Sequence, residues 1–179
     1  MEYIAGDPIM REKMEKDEQL KAISTLVKLQ CRVHAITADE LPNQADRLTW
    51  KINHNDYIEL AVKNKLISRL CDLNIGSKNL CHGDFHPLNV LFDGNKYWII
   101  DWVDATMGNP LADACRTYLI FGQILTRLAG TYLRLFCEET NIEKEAVLEW
   151  LPVIAGARLS EKMDDKARAM MLSIISESV

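Results

Sequence analysis

Apolar positions recur at helical spacing from Ile9 to Ile36. Leu20, Ile23, Leu26, Val27, Leu29 and Cys31 fall among charged residues and predict one long helix. Gly6-Asp7-Pro8 reads as the turn before it, with Asp7 as N-cap and Pro8 at the first helical position. Leu41-Pro42-Asn43 breaks the chain, and Ala45 to Asn55 is ambiguous. Ile58, Leu60, Ala61, Leu66, Ile67 and Leu70 predict a second helix from Asp56 to Leu73, followed by a loop to Asn79. The period then changes. Asn89-Val90-Leu91-Phe92 and Tyr97-Trp98-Ile99-Ile100 are β-prone runs around Asp93-Gly94-Asn95-Lys96, which predicts a hairpin. Beyond Asn109-Pro110 the pattern is helical over Leu111 to Leu128, Tyr132 to Glu139, Glu143 to Leu159 and Asp164 to Ser176, with Pro152 kinking or restarting the third. The expected fold class is α+β and mostly helical, with one central β-hairpin.

Composition narrows the class. A chain of 179 residues suits one domain with a proper core. Apolar residues at 48% and charged residues at 26% exclude a disordered, collagen-like or disulfide-scaffold chain. The net charge of −5, with no basic block, argues against a nucleic-acid partner and leaves room for a cationic substrate. The longest apolar stretch, Tyr118 to Leu125, is too short to span a bilayer, and the N-terminus lacks the pattern of a secretory signal. Five cysteines without a CxxC pair read as reduced core thiols, which places the expected location in the cytoplasm.

The chemistry gathers around the hairpin. Asp84 and Asn89 precede it, five residues apart, and Asp101 follows its second strand. A tight hairpin returns the end of its second strand beside the start of its first, so Asn89 and Asp101 become neighbours. An amide oxygen beside a carboxylate suits Mg²⁺, which shares its shell with phosphates and water. Asp84 is then placed to accept a proton from a hydroxyl. Each residue alone reads as an ordinary turn residue; the set, with His82-Gly83 immediately before Asp84, points to a site. A zinc pair of His82 and His86 is disfavoured, because Gly83 and Pro87 prevent a regular helix there.

The order His82-Gly83-Asp84, His86, Asn89, Ile100-Asp101-Trp102 resembles the aminoglycoside phosphotransferase and choline kinase-like family, relatives of the protein kinases. Gly83 stands where protein kinases carry Arg, which favours the small-molecule branch. Gly108 to Asp113 resembles the family's next segment, with Asn109 where many members have Asp. Gln30 to His34 resembles its helix ending in a Leu-His pair, with Val33 in place of Leu. The resemblance implies the large lobe of a kinase-like fold: a hinge-like segment over 1–7, and a helical lobe over 8–179 carrying the catalytic loop and metal-binding hairpin at 82–104. It implies an ATP- and Mg²⁺-dependent phosphotransferase, with Asp84 the catalytic base and Asn89 and Asp101 holding the metal and phosphates. His82 becomes a loop brace and His86 either a brace or a substrate contact, both within the catalytic set. Asp113 is expected to brace its helix N-terminus. The carbonyl of Glu2 and the amide of Ile4 would meet the adenine edge.

The small ATP-clamping lobe has no counterpart in the sequence, so the isolated chain is expected to be inactive alone or to pair with a small-lobe partner or with itself. The alternative is a non-catalytic kinase-like module that binds a small molecule or a partner chain. The expected acceptor is a small hydroxylated molecule, an amino sugar or amino alcohol. Glu138, Glu139, Glu143, Glu145 and Glu149 are candidates for one wall of its cleft, against their ordinary reading as a solvated helix face. Trp102 and Asp104 lie near where an acceptor would sit, or serve as a packed aromatic and a turn acid.

Overall fold

The computed structural model describes residues 5–11, 13–74 and 76–178. Glu15 opens the first helix, α1 (Lys16–His34), through a capping box: its side chain accepts from the backbone three residues on, and Glu18 accepts from the Glu15 amide at 2.9 Å. The helix therefore begins seven residues later than the apolar pattern suggests. Asp7–Pro8 is not its cap but a short strand, β1, and the Ile9 amide donates to the Val90 carbonyl at 2.9 Å. A proline suits such an edge. The Asp7 carboxylate instead takes Arg11 at 2.8 Å.

The ambiguous stretch forms a helix, α2 (Gln44–Asn53), capped by the Asn43 side chain on the Ala45 amide at 2.8 Å. Of its residues only Ile52 is fully buried, so little apolar period reaches the sequence. The next helix, α3 (Leu60–Leu73), starts later than Asp56 because Asn55 builds a turn. The Asn55 side chain donates to Ile52 and Gly156 carbonyls and accepts from the Tyr57 amide.

The expected hairpin is present as β3 (Val90–Phe92) and β4 (Tyr97–Ile99), in antiparallel register Val90 to Ile99 and Phe92 to Tyr97. Asp93 closes its turn by accepting from the Asn95 and Lys96 amides at 2.8 Å, and Gly94 takes a φ of 95° there. β1 adds to β3, giving the order β1-β3-β4. A second two-stranded sheet, unexpected from sequence, pairs β2 (Asn79–Cys81) with β5 (Thr106–Gly108). Each strand is only three residues long, too short to show alternation. Together the two sheets clamp both ends of the segment that carries the candidate site.

The remaining helices are α4 (Pro110–Ile124), α5 (Thr126–Thr140), α6 (Lys144–Leu148), α7 (Leu151–Arg158) and α8 (Asp165–Ser176). The break between α4 and α5 falls at Leu125, earlier than expected. Pro152 sits in the first turn of α7, so it restarts the helix. Helix α4 is central, packing against α5 on one side and α7 on the other. Ile23, Leu26, Leu119, Tyr132 and Phe136 fill the core on the first side; Ile52, Leu66, Val153, Leu159 and Met171 fill it on the second. Among the described residues no helix is long and apolar enough to cross a membrane.

Candidate active site

The site is a loop hung between the two sheets. His82, at the end of β2, is fully buried. Its Nε2 donates to the Ile100 carbonyl at 3.0 Å, and its Nδ1 accepts the Asp84 amide at 3.2 Å. Those two bonds fix the proton on Nε2. Burial pushes His82 below its ordinary value despite the Ile100 bond and the carboxylates around it, so the ring is neutral. It therefore ties the loop to the backbone just before Asp101.

Behind the loop lies Asp113, one turn into α4 and buried. One oxygen accepts the Gly83 amide at 2.7 Å. The other accepts the His82 amide at 3.3 Å, Gln30 Nε2 at 3.3 Å and His34 Nε2 at 2.9 Å. Burial pushes the Asp113 carboxyl up, but His34, Gly83 and Gln30 outweigh it and hold the group below its usual value. Asp113 is thus more than the brace of its own helix. It joins α1 and α4 to the backbone of the His82-Gly83 loop, and Gln30 and His34 are the α1 residues that meet it. The Tyr132 hydroxyl extends the network by donating to Gln30 Oε1 at 2.6 Å.

Gly83 has a φ of 82°, and a Cβ there would press on the Asp104 carbonyl oxygen inside any real contact distance. Gly83→Ala is expected to destabilise the protein by about 2 kcal/mol or more, from left-handed backbone strain and the clash. Thermal unfolding checks it: an unchanged midpoint would refute this reading of the loop.

Asp84 projects from the loop, about one-third exposed. Asn89, on the 3₁₀ turn Pro87–Asn89, donates from Nδ2 to the Asp84 carbonyl at 3.0 Å and to its Oδ2 at 3.3 Å. His86 Nδ1 accepts the Leu88 amide at 3.3 Å, which leaves Nε2 as the donor facing Asp84 Oδ2 at 3.3 Å. Burial pushes the Asp84 carboxyl up, yet the His86 bond and the charges of Arg116 and Arg158 hold it below its ordinary value. The Ile100 amide donates to the Asn89 carbonyl at 3.0 Å, so Asp101 leaves β4 beside Asn89. Asp101 has a left-handed φ of 63°, uncommon for a non-glycine residue. Trp102 packs on the His82 ring, its indole donating to the Ile99 carbonyl at 2.9 Å. Glu2 and Ile4 lie outside the described residues.

The donor set suits a hard divalent cation. Because Asn89 Nδ2 is held by Asp84, its Oδ1 is the end left to ligate. The Asp101 carboxylate has no hydrogen bond or ion pair among the described residues. Those residues contain no group of three or more His, Cys, Asp or Glu placed to hold a metal. An ion here would therefore take Asn89 and Asp101 as its protein ligands and fill its shell from phosphate and water, as Mg²⁺ does.

On the other flank of Asp84 lies a layer of charge that the sequence did not announce. Arg116 Nη2 is 3.7 Å from Asp84 Oδ1 and 3.9 Å from Asp104 Oδ2, and its Nη1 donates to Glu161 Oε1 at 2.6 Å. Lys51 Nζ reaches the same Glu161 oxygen at 2.9 Å, and Arg47 takes Asp104 at 2.8 Å. Arg158 Nε lies 3.4 Å from Glu161 Oε2. Asp104 is therefore an ion-paired turn acid. These residues come from α2, α4, α7 and the loop beyond it, with no shared motif. The only sequence signal was Arg116, one turn past Asp113. Glu138, Glu139, Glu143, Glu145 and Glu149 line none of the cavities described beside this loop. Glu138 pairs with Arg134 on its own helix, and α6 packs on α4 and α5.

Residues 1–151 match the Phosphotransferase enzyme family. No curated protein matches the chain. Among solved structures, the choline kinase LicA from Streptococcus pneumoniae superposes with a TM-score of 0.64 at 15% identity, over 97% of this chain and 67% of that one. A choline/ethanolamine kinase family protein from Mesorhizobium loti gives 0.56 at 16% identity, over 98% and 66%. LicA in complex with AMP gives 0.57 at 15%, over 88% and 64%. The fold is thus the large, mostly helical lobe of the kinase-like architecture, and the chain spans about two thirds of the length of these structures.

Proposed function

The chain belongs to the phosphotransferase enzyme family, and from that premise we propose that it transfers the γ-phosphate of ATP to a hydroxyl of a small molecule. The observation that carries this reading is the convergence of Asp84, Asn89 and the start of the Asp101 turn on one loop, fixed from behind by Asp113. Asp84 accepts the proton of the acceptor hydroxyl as its oxygen bonds to the γ-phosphorus and the bond to ADP breaks. His86 and Asn89 hold the Asp84 carboxylate in place. Mg²⁺, when bound at Asn89 and Asp101, would neutralise charge on the phosphates. The adenine would lie against the backbone of Glu2 and Ile4, and the protein would work in the cytoplasm.

Phosphoryl transfer depends on positioning from both sides of the nucleotide, so the proposal includes a small-lobe partner for full activity. The groove between the N-terminal segment, α1 and the hairpin, lined by Pro8, Lys21, Thr25, Phe92 and Tyr97, is where it would dock. The second reading is a kinase-like module that binds without catalysing. An amino alcohol or amino sugar acceptor rests on the resemblance alone. The test is Mg²⁺-dependent ATP binding by the chain, together with transfer of labelled phosphate to a hydroxyl panel. Binding and transfer that both vanish in Asp84→Asn and Asp101→Asn double variants are expected. Absence of transfer under every condition, with nucleotide still bound, would leave the binding module.

A further inference from the structure

The flank of Asp84 opposite the metal ligands is rich in hydrogen-bond donors and poor in acceptors. Arg47, Lys51, Arg116 and Arg158 meet there with the carboxylates of Asp84, Asp104 and Glu161. Asp104 and Glu161 are already engaged by cations at 2.9 Å or less. The donors are not used up. Arg116 Nε, Arg158 Nε and Arg158 Nη1 are buried without a hydrogen-bond partner. Arg116 Nη2 reaches Asp84 and Asp104 only at 3.7 and 3.9 Å, beyond hydrogen-bond length. Buried guanidinium groups left short of partners are costly, and native structures tolerate few of them.

We propose that this flank is the acceptor subsite and that it recognises an oxyanion, a carboxylate or a phosphate, carried by the same small molecule whose hydroxyl faces Asp84. The proposal rests on the phosphotransferase reading and names its substrate class. An ammonium group would find Asp104 and Glu161 occupied and would meet four cations. An oxyanion meets Arg116 and Arg158, which fork towards planar oxygen pairs, and completes their pairing. It also leaves Arg116 bridging the acceptor and the base, which orients the hydroxyl at Asp84. The competing placement for an amine is the outer groove at Asp46 and Trp102, where a carboxylate and an indole lie together.

The experiment uses two matched ligand sets: glucose, glucosamine, glucuronate and glucose 6-phosphate; and glycerol, 3-amino-1,2-propanediol, glycerate and glycerol 3-phosphate. Binding to the 179-residue chain is measured by calorimetry, and phosphate transfer from Mg·ATP is followed in parallel. The expected result is at least tenfold tighter binding of an anionic member than of its neutral and amino counterparts. That preference should weaken with salt and be lost in Arg158→Met but retained in Arg158→Lys. The carboxylate and phosphate members separate the two oxyanion sources. Preference for the amino members, abolished by Asp46→Asn, overturns the proposal, as does equal binding or no binding across both sets. Should Arg158→Met fail to fold, Arg47→Gln on the rim gives the same readout. Anion binding without nucleotide binding or transfer would sink the phosphotransferase reading while leaving the oxyanion subsite. Transfer to an amine would do the reverse.

Discussion

Asp113→Ala is expected to cost about 3–5 kcal/mol of stability, the loss typical of breaking a buried charged network by removing one partner. For a chain of this length that is a fall in unfolding midpoint of about 10 °C. The carboxylate accepts from two loop amides and from Gln30 and His34, so its removal orphans donors on three segments at once. Asp113→Asn should lose less but still substantially, because one amide oxygen cannot accept on both sides and its NH₂ would face a donor. The pH dependence identifies the cause. The folded group titrates below its ordinary 3.8, so its stabilisation is fully present above that value and fades as pH falls through the lower, folded value. The gap between wild type and Asp113→Ala should therefore narrow in acid. A constant gap, or a difference within about 0.5 kcal/mol at neutral pH, would show that Asp113 does not anchor the loop.

The sequence disclosed those parts of the protein whose cause is local. The Asp93-Gly94 turn and the restart at Pro152 are short-range chemistry, and each appears at its expected place. Helix α2 was obscure because one buried residue leaves no period to read. β1, β2 and β5 were obscure because strands of two or three residues are made by their partners and not by their own pattern. The site divides in the same way. Asp84, Asn89 and Asp101 fall within a span of eighteen residues joined by a hairpin, so the bonds of Asn89 to Asp84 and to Ile100 have a local cause. Arg47, Lys51, Arg158 and Glu161 join the charged layer beside Asp84 only through the packing of α2 on α7 and of α7 on α4. Charged residues on amphipathic helices read as solvated faces, and only the tertiary structure turns these inward.

Asp84→Asn is expected to reduce phosphate transfer by about 10²–10⁴-fold, the usual contribution of a general base, in whichever assembly of the chain is active. The fold should survive. Asn is isosteric, and the partners it would weaken are a 3.7 Å contact to Arg116 and part-buried bonds to His86 and Asn89; a hydrogen bond of this kind contributes about 0.5–1.5 kcal/mol. Asp101→Asn should act on a different step. Asn tolerates the left-handed backbone that Asp101 adopts, so the turn persists while the charge is lost. The expected effect is loss of the Mg²⁺-dependent part of ATP affinity, with Mg²⁺-free binding unchanged. His86→Ala separates positioning from base chemistry. With Asp84 held below its ordinary value partly by the His86 bond, wild-type transfer should show no acid limb from this group between about pH 5 and 8. Removing the ring should move that limb upward and lower the rate at neutral pH less than Asp84→Asn does. Wild-type turnover in Asp84→Asn would exclude it as the base, whereas an unmoved acid limb in His86→Ala would make that histidine a brace for the Leu88 amide alone.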